Sequence, residues 1–577
     1  MNRTTARFAS AALAALLALA SHADNIFVAP EGRGEMTGAD WSNALKGTLD
    51  GYSGVRAAIN TAVAGGATEV NVYFAGGSYT ITNQMSLSSI SIPVKLSGGY
   101  LAETDGSLDK GETATTFARS TYTLRFISAS SLSALRIEGI TFSGGYVEGT
   151  AARGGAVYLN ASTTVITNCQ FSGNRFNDST NGSNSFSGGG AVAAVSGSLA
   201  LTDCNFTGNY RTAGNANNGS GGAVFARDAI LTVSGCSFDK NYLDCVAARP
   251  YLFGAAIATY YGRVSISNCT FTGNYIRGCS NSGGGSAGAL AIRNATTFRM
   301  SDSTFSNCYV ANASGLDASY HTGIMLLDDW LPSDGVMTSV VERCVFDSRG
   351  VPNTIKPNAG STQVPVRSDI TVFGGRLFMT NCIIAGVRGN HAGSAYSIRS
   401  RSGNVGRKNY AGYAYYTSGN WTCAPSSMEL VNCTIADGKT YGAFAATDTE
   451  MTIKNCIAYG NSVSGVVNAA SVEYSCVQER HDGVGNFVAD PHWTGSPYYH
   501  LLTKRAGGAI TDGWFGGTYN SAKTEKNSPC LDAAAPGTPG LDLEPKPNGR
   551  HVNLGAYGGT PWATKTLSPP PTTIFAQ

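Results

Sequence analysis

Between Asp369 and Glu429 the chain holds no carboxylate over 59 positions, yet it carries Arg376, Arg388, Arg399, Arg401, Arg407 and Lys408, with Tyr410, Tyr413, Tyr415, Tyr416 and Trp421. Guanidinium groups grip oxyanions in bidentate fashion, and aromatic rings pack on apolar surfaces while leaving a polar edge free. These residue types suit an anionic glycan, with Arg388, Arg399, Arg401, Arg407, Lys408, Tyr413, Tyr415 and Trp421 as the candidate contacts. The same residues also read as solvated loop positions and stacked aromatics, because a chain with 38 acids in 577 residues leaves long acid-free intervals by chance. Two clusters could support acid–base chemistry: Glu479, Arg480, His481 and Asp482 in "QERHDG", and Asp490 and His492 in "DPHW". The pair Asp328-Asp329 reads as a polar turn, since one acidic pair supplies too few oxygens for calcium. No CxxC or Cys/His spacing marks a metal site, so the metal expectation is none.

Side chains as scattered as these need a scaffold to gather them, and the scaffold is written in repeats. "CQFSGN" begins at Cys169, "CNFTGNY" at Cys204, "CSFDKNY" at Cys236 and "CTFTGNY" at Cys269. A glycine precedes each cysteine by 15 positions: Gly154, Gly189, Gly221 and Gly254. A period of 32 to 35 residues belongs to solenoids and arrays. Degenerate copies follow at Ser303, Cys344, Cys382, Cys433 and Cys456. Within each unit apolar residues alternate, as Val165, Thr167, Cys169 and Phe171 do, which is a strand period and not a helical one.

The expected fold is therefore all-β: a single parallel β-helix of roughly a dozen coils, right-handed by the rule for parallel crossovers. Stacking would pile Phe142, Phe171, Phe206, Phe238, Phe271, Phe305 and Phe346 into one buried ladder. Cys169, Cys204, Cys236 and Cys269 would form a column beside it, buried and reduced. Asn174, Asn209, Asn241 and Asn274, three after each phenylalanine, mark a turn where asparagine would take left-handed backbone angles and its amide would satisfy the next coil. Cys245 and Cys279 fall in adjacent loops and are the expected disulfide.

The opening "MNRTTARFASAALAALLALASHAD" reads as a secretory signal over 1–23, with Arg3 and Arg7 before an apolar run and a Ser-His-Ala cleavage site. Export would place the 14 cysteines in a disulfide-permissive compartment. Without that segment the formal charge falls from +2 to zero, which argues against a nucleic-acid partner. No later stretch is long and apolar enough to span a bilayer, so no transmembrane segment is expected in the mature chain.

The pairing of GGA[ILV] with FxxN over 139–310 resembles the repeats of polymorphic outer membrane proteins and related autotransporter adhesins. Those families end in a membrane barrel, whereas this sequence closes on "KTLSPPPTTIFAQ". "IFVAPEGRGEMTGADWSNAL" and "GVRAAINTAVAGGATEVNVYFAGGSYTI" resemble the N-terminal cap of the pectin-lyase-like superfamily, with Val55, Ile59 and Val63 on one helical stripe. "SPCLDAAAPGTPGLDLEPKPNGRHVNLGAYGGTP" is similar to the closing segment of secreted β-helix proteins, although Asn553 stands where Asp is usual. The hydrolase words NTD, DD and GHG and the lyase strand RxPxxR of that superfamily are absent.

These readings divide the chain into a signal peptide (1–23), an N-terminal cap with first coils (24–120), the parallel β-helix (121–500) and a C-terminal capping segment and tail (501–577). The functional expectation is a secreted or surface-exposed, adhesin-like interaction protein that binds a polysaccharide or cell-surface glycan, monomeric, with no evident cofactor. The alternative is a polysaccharide lyase or glycoside hydrolase acting on an anionic polysaccharide, with calcium as cofactor in the lyase case. Whether the chain is an enzyme stays open at this level, because one scaffold hosts both.

Overall fold

A computed structural model describes residues 23–49, 54–105, 107–120, 123–149, 151–178, 187–211, 218–244, 251–279, 285–312, 322–329, 336–350, 368–387, 396–401, 426–438, 441–445, 449–494, 497–504, 509–511, 518–520 and 526–565. Apart from one antiparallel hairpin, the strand ladders are parallel, and they connect each strand to its equivalent one coil later. The fold is a parallel β-helix.

Three faces run along the helix, and six successive coils add a further row of short strands from Tyr146–Glu148 to Tyr309–Asn312. The first is built from strands such as Val224–Arg227, Ile257–Tyr260 and Leu290–Arg293. The second is built from Ile230–Ser234, Arg263–Ser267 and Thr297–Ser301. The third comprises thirteen short strands among the described residues, from Gly77–Ile81 to Cys476–Val477. Twelve steps at about 4.8 Å make that face about 58 Å long. The first two faces merge where Val157–Thr167 and Val192–Thr202 cross the bend as unbroken strands.

The two-residue period decides which side chains enter the lumen. In Arg263–Ser267, Val264 and Ile266 are buried while Arg263 and Ser265 face out. Because the ladders are in register, like residues meet: Phe142, Phe171, Phe206, Phe238, Phe271, Phe305 and Phe346 are consecutive Cα partners. Their rings stack at 4.4–5.0 Å within 12° of parallel, all buried. The column continues to Phe117 and Tyr79 at one end, and to Ile384, Ile435, Ala458 and Val477 at the other.

Beside it runs an amide ladder. Asn241 Oδ1 accepts from Asn209 N at 2.9 Å and Asn209 Nδ2 at 3.0 Å, while Asn241 Nδ2 donates to Phe206 O at 2.9 Å. Asn174, Asn209 and Asn274 repeat the pattern, and Cys308 takes the next place, its sulfur accepting from Asn274 Nδ2 at 3.8 Å. The left-handed residue is not the asparagine, as the sequence suggested, but the one before it: Gly173, Gly208, Lys240 and Gly273, at φ 51–61°. The asparagine is thereby free to point inward, where its amide is fully used.

The cysteines form the third column. Cys236 Sγ lies 3.4 Å from Cys204 N, and Ser303 and Ser475 stand in the cysteine position on their own coils, accepting from Cys269 N at 3.1 Å and Cys456 N at 3.0 Å. Cys169, Cys204, Cys236, Cys269, Cys344, Cys382, Cys433 and Cys456 are buried free thiols. At the remaining corner Gly154, Gly189, Gly221 and Gly254 hold φ 61–74°, and a Cβ on any of them would come within 2.1–2.2 Å of the carbonyl oxygen three residues on. Only glycine fits there.

Helix α1, Val55–Ala64, closes the first coils with Val55, Ile59 and Ala62 buried and Val63 packed against the core. At the far end Cys530, Val552 and Leu554 pack on Ile457 and Cys476, and Ala556 and Tyr557 cover Val345, Ile383, Ala385 and Ala436 on the outside of the third face. The closing segment thus folds back along the last coils. Asn553 uses both ends of its amide there, accepting from Asp532 N at 2.9 Å and donating to Thr564 O at 2.8 Å. No helix among the described residues is long and apolar enough to cross a membrane.

The ladders predict unequal tolerance. Asn241→Ala orphans donors on Asn209 and a carbonyl on Phe206, and lowers stability by about 3 kcal/mol or more in urea unfolding. Cys236→Ser, which reproduces what Ser303 and Ser475 already do, costs about 1 kcal/mol or less in the same measurement.

Candidate functional site

Of the residues singled out for a glycan, Arg388, Arg407, Lys408, Tyr413, Tyr415 and Trp421 lie outside the described residues, as does Cys245. Arg399 and Arg401 belong to the strand Tyr396–Arg401 on the first face, where Arg399 pairs in register with Thr371 and Phe444, and Arg401 with Phe373. The side chains of both lie outside the described set, and so does that of Cys279, whose backbone ends the strand Tyr275–Cys279.

A groove of about 600 Å³ lies on the second face of the last third of the helix. Three strands make its floor: Arg376–Thr380, Ser427–Val431 and Glu450–Lys454. Leu377, Met379, Met428, Leu430, Met451 and Ile453 point into the lumen, so the alternate positions must face out. Register then assembles two outward rows, Arg376–Ser427–Glu450 and Phe378–Glu429–Thr452. Phe378 is 38% exposed, a large ring left uncovered on an otherwise polar floor. Val336, Ser426 and Thr449 complete the walls. Ser426 also ties the groove to the first face, its hydroxyl accepting from Gly374 N at 2.8 Å. Of the acid-free interval flagged in the sequence, Arg376, Phe378, Ser426 and Ser427 line this groove.

Chemically the groove offers one cation, two carboxylates, hydroxyls and an apolar platform. Glu429 and Glu450 are diagonal neighbours on adjacent coils, with their Cα atoms about 8 Å apart from strand spacing and rise. Sequence spacing concealed this set, although one signal pointed to it: Arg376, Ser427 and Glu450 each precede their coil's cysteine by six residues.

The other clusters serve the fold. Glu479 accepts from Ser464 Oγ at 2.7 Å, Val466 N at 2.8 Å and Gly465 N at 2.9 Å, with His481 Nε2 at 3.2 Å. Burial alone would raise its pKa, but these donors outweigh it and hold the carboxylate below its usual range. Asp490 accepts from His492 N at 2.9 Å within a turn. Asp328 is not part of an open turn: it is buried, with Oδ2 2.7 Å from Arg293 Nε, and Arg293 reaches Tyr260 Oη at 3.2 Å. Burial pushes Asp328 up to about 6 despite that partner. Asp329 accepts from Met337 N at 2.7 Å and is likewise raised by burial.

Asp369 is buried, and desolvation raises its pKa well above the usual value for an aspartate. Ser348 Oγ is within hydrogen-bonding distance of both Asp369 Oδ2, at 2.7 Å, and Gly386 O. One hydroxyl proton serves one acceptor, so a protonated Asp369 completes the set. Among the described residues no group of three or more His, Cys, Asp or Glu side chains is placed to hold a metal ion. No protein-family model matches the chain, and no curated protein and no solved structure matches it either.

Four buried acids carry a pH dependence. Asp328, Asp329, Asp369 and Glu544, the last pushed up to about 7 by burial, keep their protons in the folded state to higher pH than in the unfolded chain. Between about pH 4 and pH 7 the unfolded state therefore binds fewer protons, and stability falls as pH rises. Thermal unfolding should give a higher midpoint near pH 5 than near pH 7.5, and Asp369→Asn should narrow that difference.

Proposed function

We propose that the chain is a secreted or surface-exposed, adhesin-like β-helix protein that binds glycans in the groove floored by Arg376, Phe378, Glu429 and Glu450. The observation that carries this reading is the exposed Phe378 ring set in register beside Glu429. An aromatic ring packs on the C–H face of a sugar, while carboxylate and guanidinium groups take its hydroxyls in bidentate fashion. A few polar groups around an apolar patch is the usual make-up of a ligand pocket. The resemblance of the repeats to autotransporter adhesins, and of the ends to the pectin-lyase-like superfamily, supports the same assignment. So does the secretory signal read at 1–23.

A second reading, glycoside hydrolysis, draws on Glu429 and Glu450. Inverting hydrolases hold two carboxyl groups about 6.5–9.5 Å apart, a range that diagonal neighbours on adjacent coils can meet.

Calorimetric titration of the chain against neutral, uronate-containing and sulfated oligosaccharides separates the two. Binding without new reducing ends is expected, with Phe378→Ala and Arg376→Ala each weakening Kd about tenfold or more, equivalent to about 1.4 kcal/mol. New reducing ends that vanish in both Glu429→Gln and Glu450→Gln would replace binding with hydrolysis. Binding that survives Phe378→Ala and Arg376→Ala unchanged would remove the groove from the assignment.

A further inference from the structure

Cys476 and Cys530 are the two described thiols that belong to neither column. Cys476 follows Ser475, and it is Ser475 that fills the cysteine position of that coil. Cys476 instead pairs in register with Ile457, on the outward side of the third face, and faces the closing segment. Cys530 lies in that segment, its carbonyl accepting from Leu554 N at 2.9 Å and its own N–H donating to Ser528 Oγ at 3.1 Å. Both are buried in one apolar cluster with Leu501, Val552 and Leu554. Their side chains are neighbours in that cluster, where Cys476 Sγ lies 3.2 Å from Ala489 O.

The column thiols also have sulfur neighbours, but their geometry differs. In-register parallel strands hold equivalent Cβ atoms about one strand spacing, 4.8 Å, apart. A disulfide needs its Cβ atoms about 3.5–4.5 Å apart and a Cβ–S–S–Cβ dihedral near 90°. Parallel side chains on successive coils cannot meet both demands without pulling the ladder out of register. Cys476 and Cys530 come from different elements, a coil and the closing segment, and no ladder fixes their separation.

We propose that Cys476 and Cys530 are a modification site: they are joined as a disulfide that clamps the closing segment to the last coil. The oxidant is a disulfide of the thiol-exchange class, such as glutathione disulfide or an oxidised exchange protein. While the segment is still undocked, the Cys530 thiolate attacks the donor disulfide and releases one donor thiolate. Docking then brings up Cys476, whose thiolate attacks the Cys530 sulfur of the mixed disulfide and expels the second donor thiolate. Two protein thiols are oxidised, one donor disulfide becomes two thiols, and the two protons pass to the departing thiolates. The bond closes a loop of 54 residues, a length at which a cross-link strongly restricts the unfolded chain.

The full chain, reduced and then refolded with glutathione disulfide and glutathione, is unfolded and alkylated, then digested so that cleavage after Tyr474 separates Cys476 from Cys456. The expected result is one cross-linked peptide pair containing Cys476 and Cys530, with the column cysteines alkylated. The same mapping on chain exported through an oxidising compartment and purified without reductant gives a second, refolding-independent reading. Added dithiothreitol should lower the thermal midpoint of the oxidised chain by several degrees and leave that of Cys530→Ser unchanged. Alkylated Cys476 and Cys530 in both preparations, either one joined to another cysteine, or equal sensitivity of the two chains to reductant would overturn the proposal.

Discussion

Backbone hydrogen bonds between successive coils, in register and parallel to the long axis, are the constraint from which the molecule follows. They fix a strand spacing near 4.8 Å, and that spacing forces each residue to share its environment with its counterparts above and below. A ring stacks on a ring because phenylalanine at 206 meets phenylalanine at 171 and 238. An amide bridges two coils because Asn241 reaches back to Asn209 and Phe206 at hydrogen-bonding distance. The same rule acts on the outside, where it aligns Arg376, Ser427 and Glu450, which lie far apart in sequence. Core and groove are two readouts of one register.

This also explains why some features were legible in the sequence and others were not. The phenylalanine, asparagine and cysteine columns were legible because stacking favours identical letters at one spacing. Past Phe346 the lumen is filled by Ile384, Ile435 and Ala458, which satisfy the same volume with different letters, and the repeating word fades while the coil continues. The position of the left-handed residue was misread because Gly173, Lys240 and their equivalents share no side chain; what they share is a backbone angle. Asp328 looked like an open polar turn, but its pairing with Arg293 crosses 35 positions and depends on two coils meeting. The groove was hidden for the same reason, although counting back from each cysteine would have aligned its rows.

Polar groups inside the solenoid are handled in two ways. The asparagine ladder is fully paired, so it adds order at little cost in unsatisfied groups. Asp369 and Glu544 are instead held where ionisation is disfavoured, and Glu544 accepts from Asn553 N and Gly559 N at 2.9 and 2.8 Å while leaving one oxygen without a partner.

The orientation of the strand ladders has a mechanical meaning. Because the bonds between coils lie along the axis, tension applied between the two ends would load one coil at a time, in series, as in a zipper opened from its end. The molecule would lengthen stepwise at modest force, with the terminal coils giving way first unless something fastens them. A shear load across the axis would meet every bond of a face at once. A protein built this way resists being dragged sideways over a surface far better than being plucked from it by its tip.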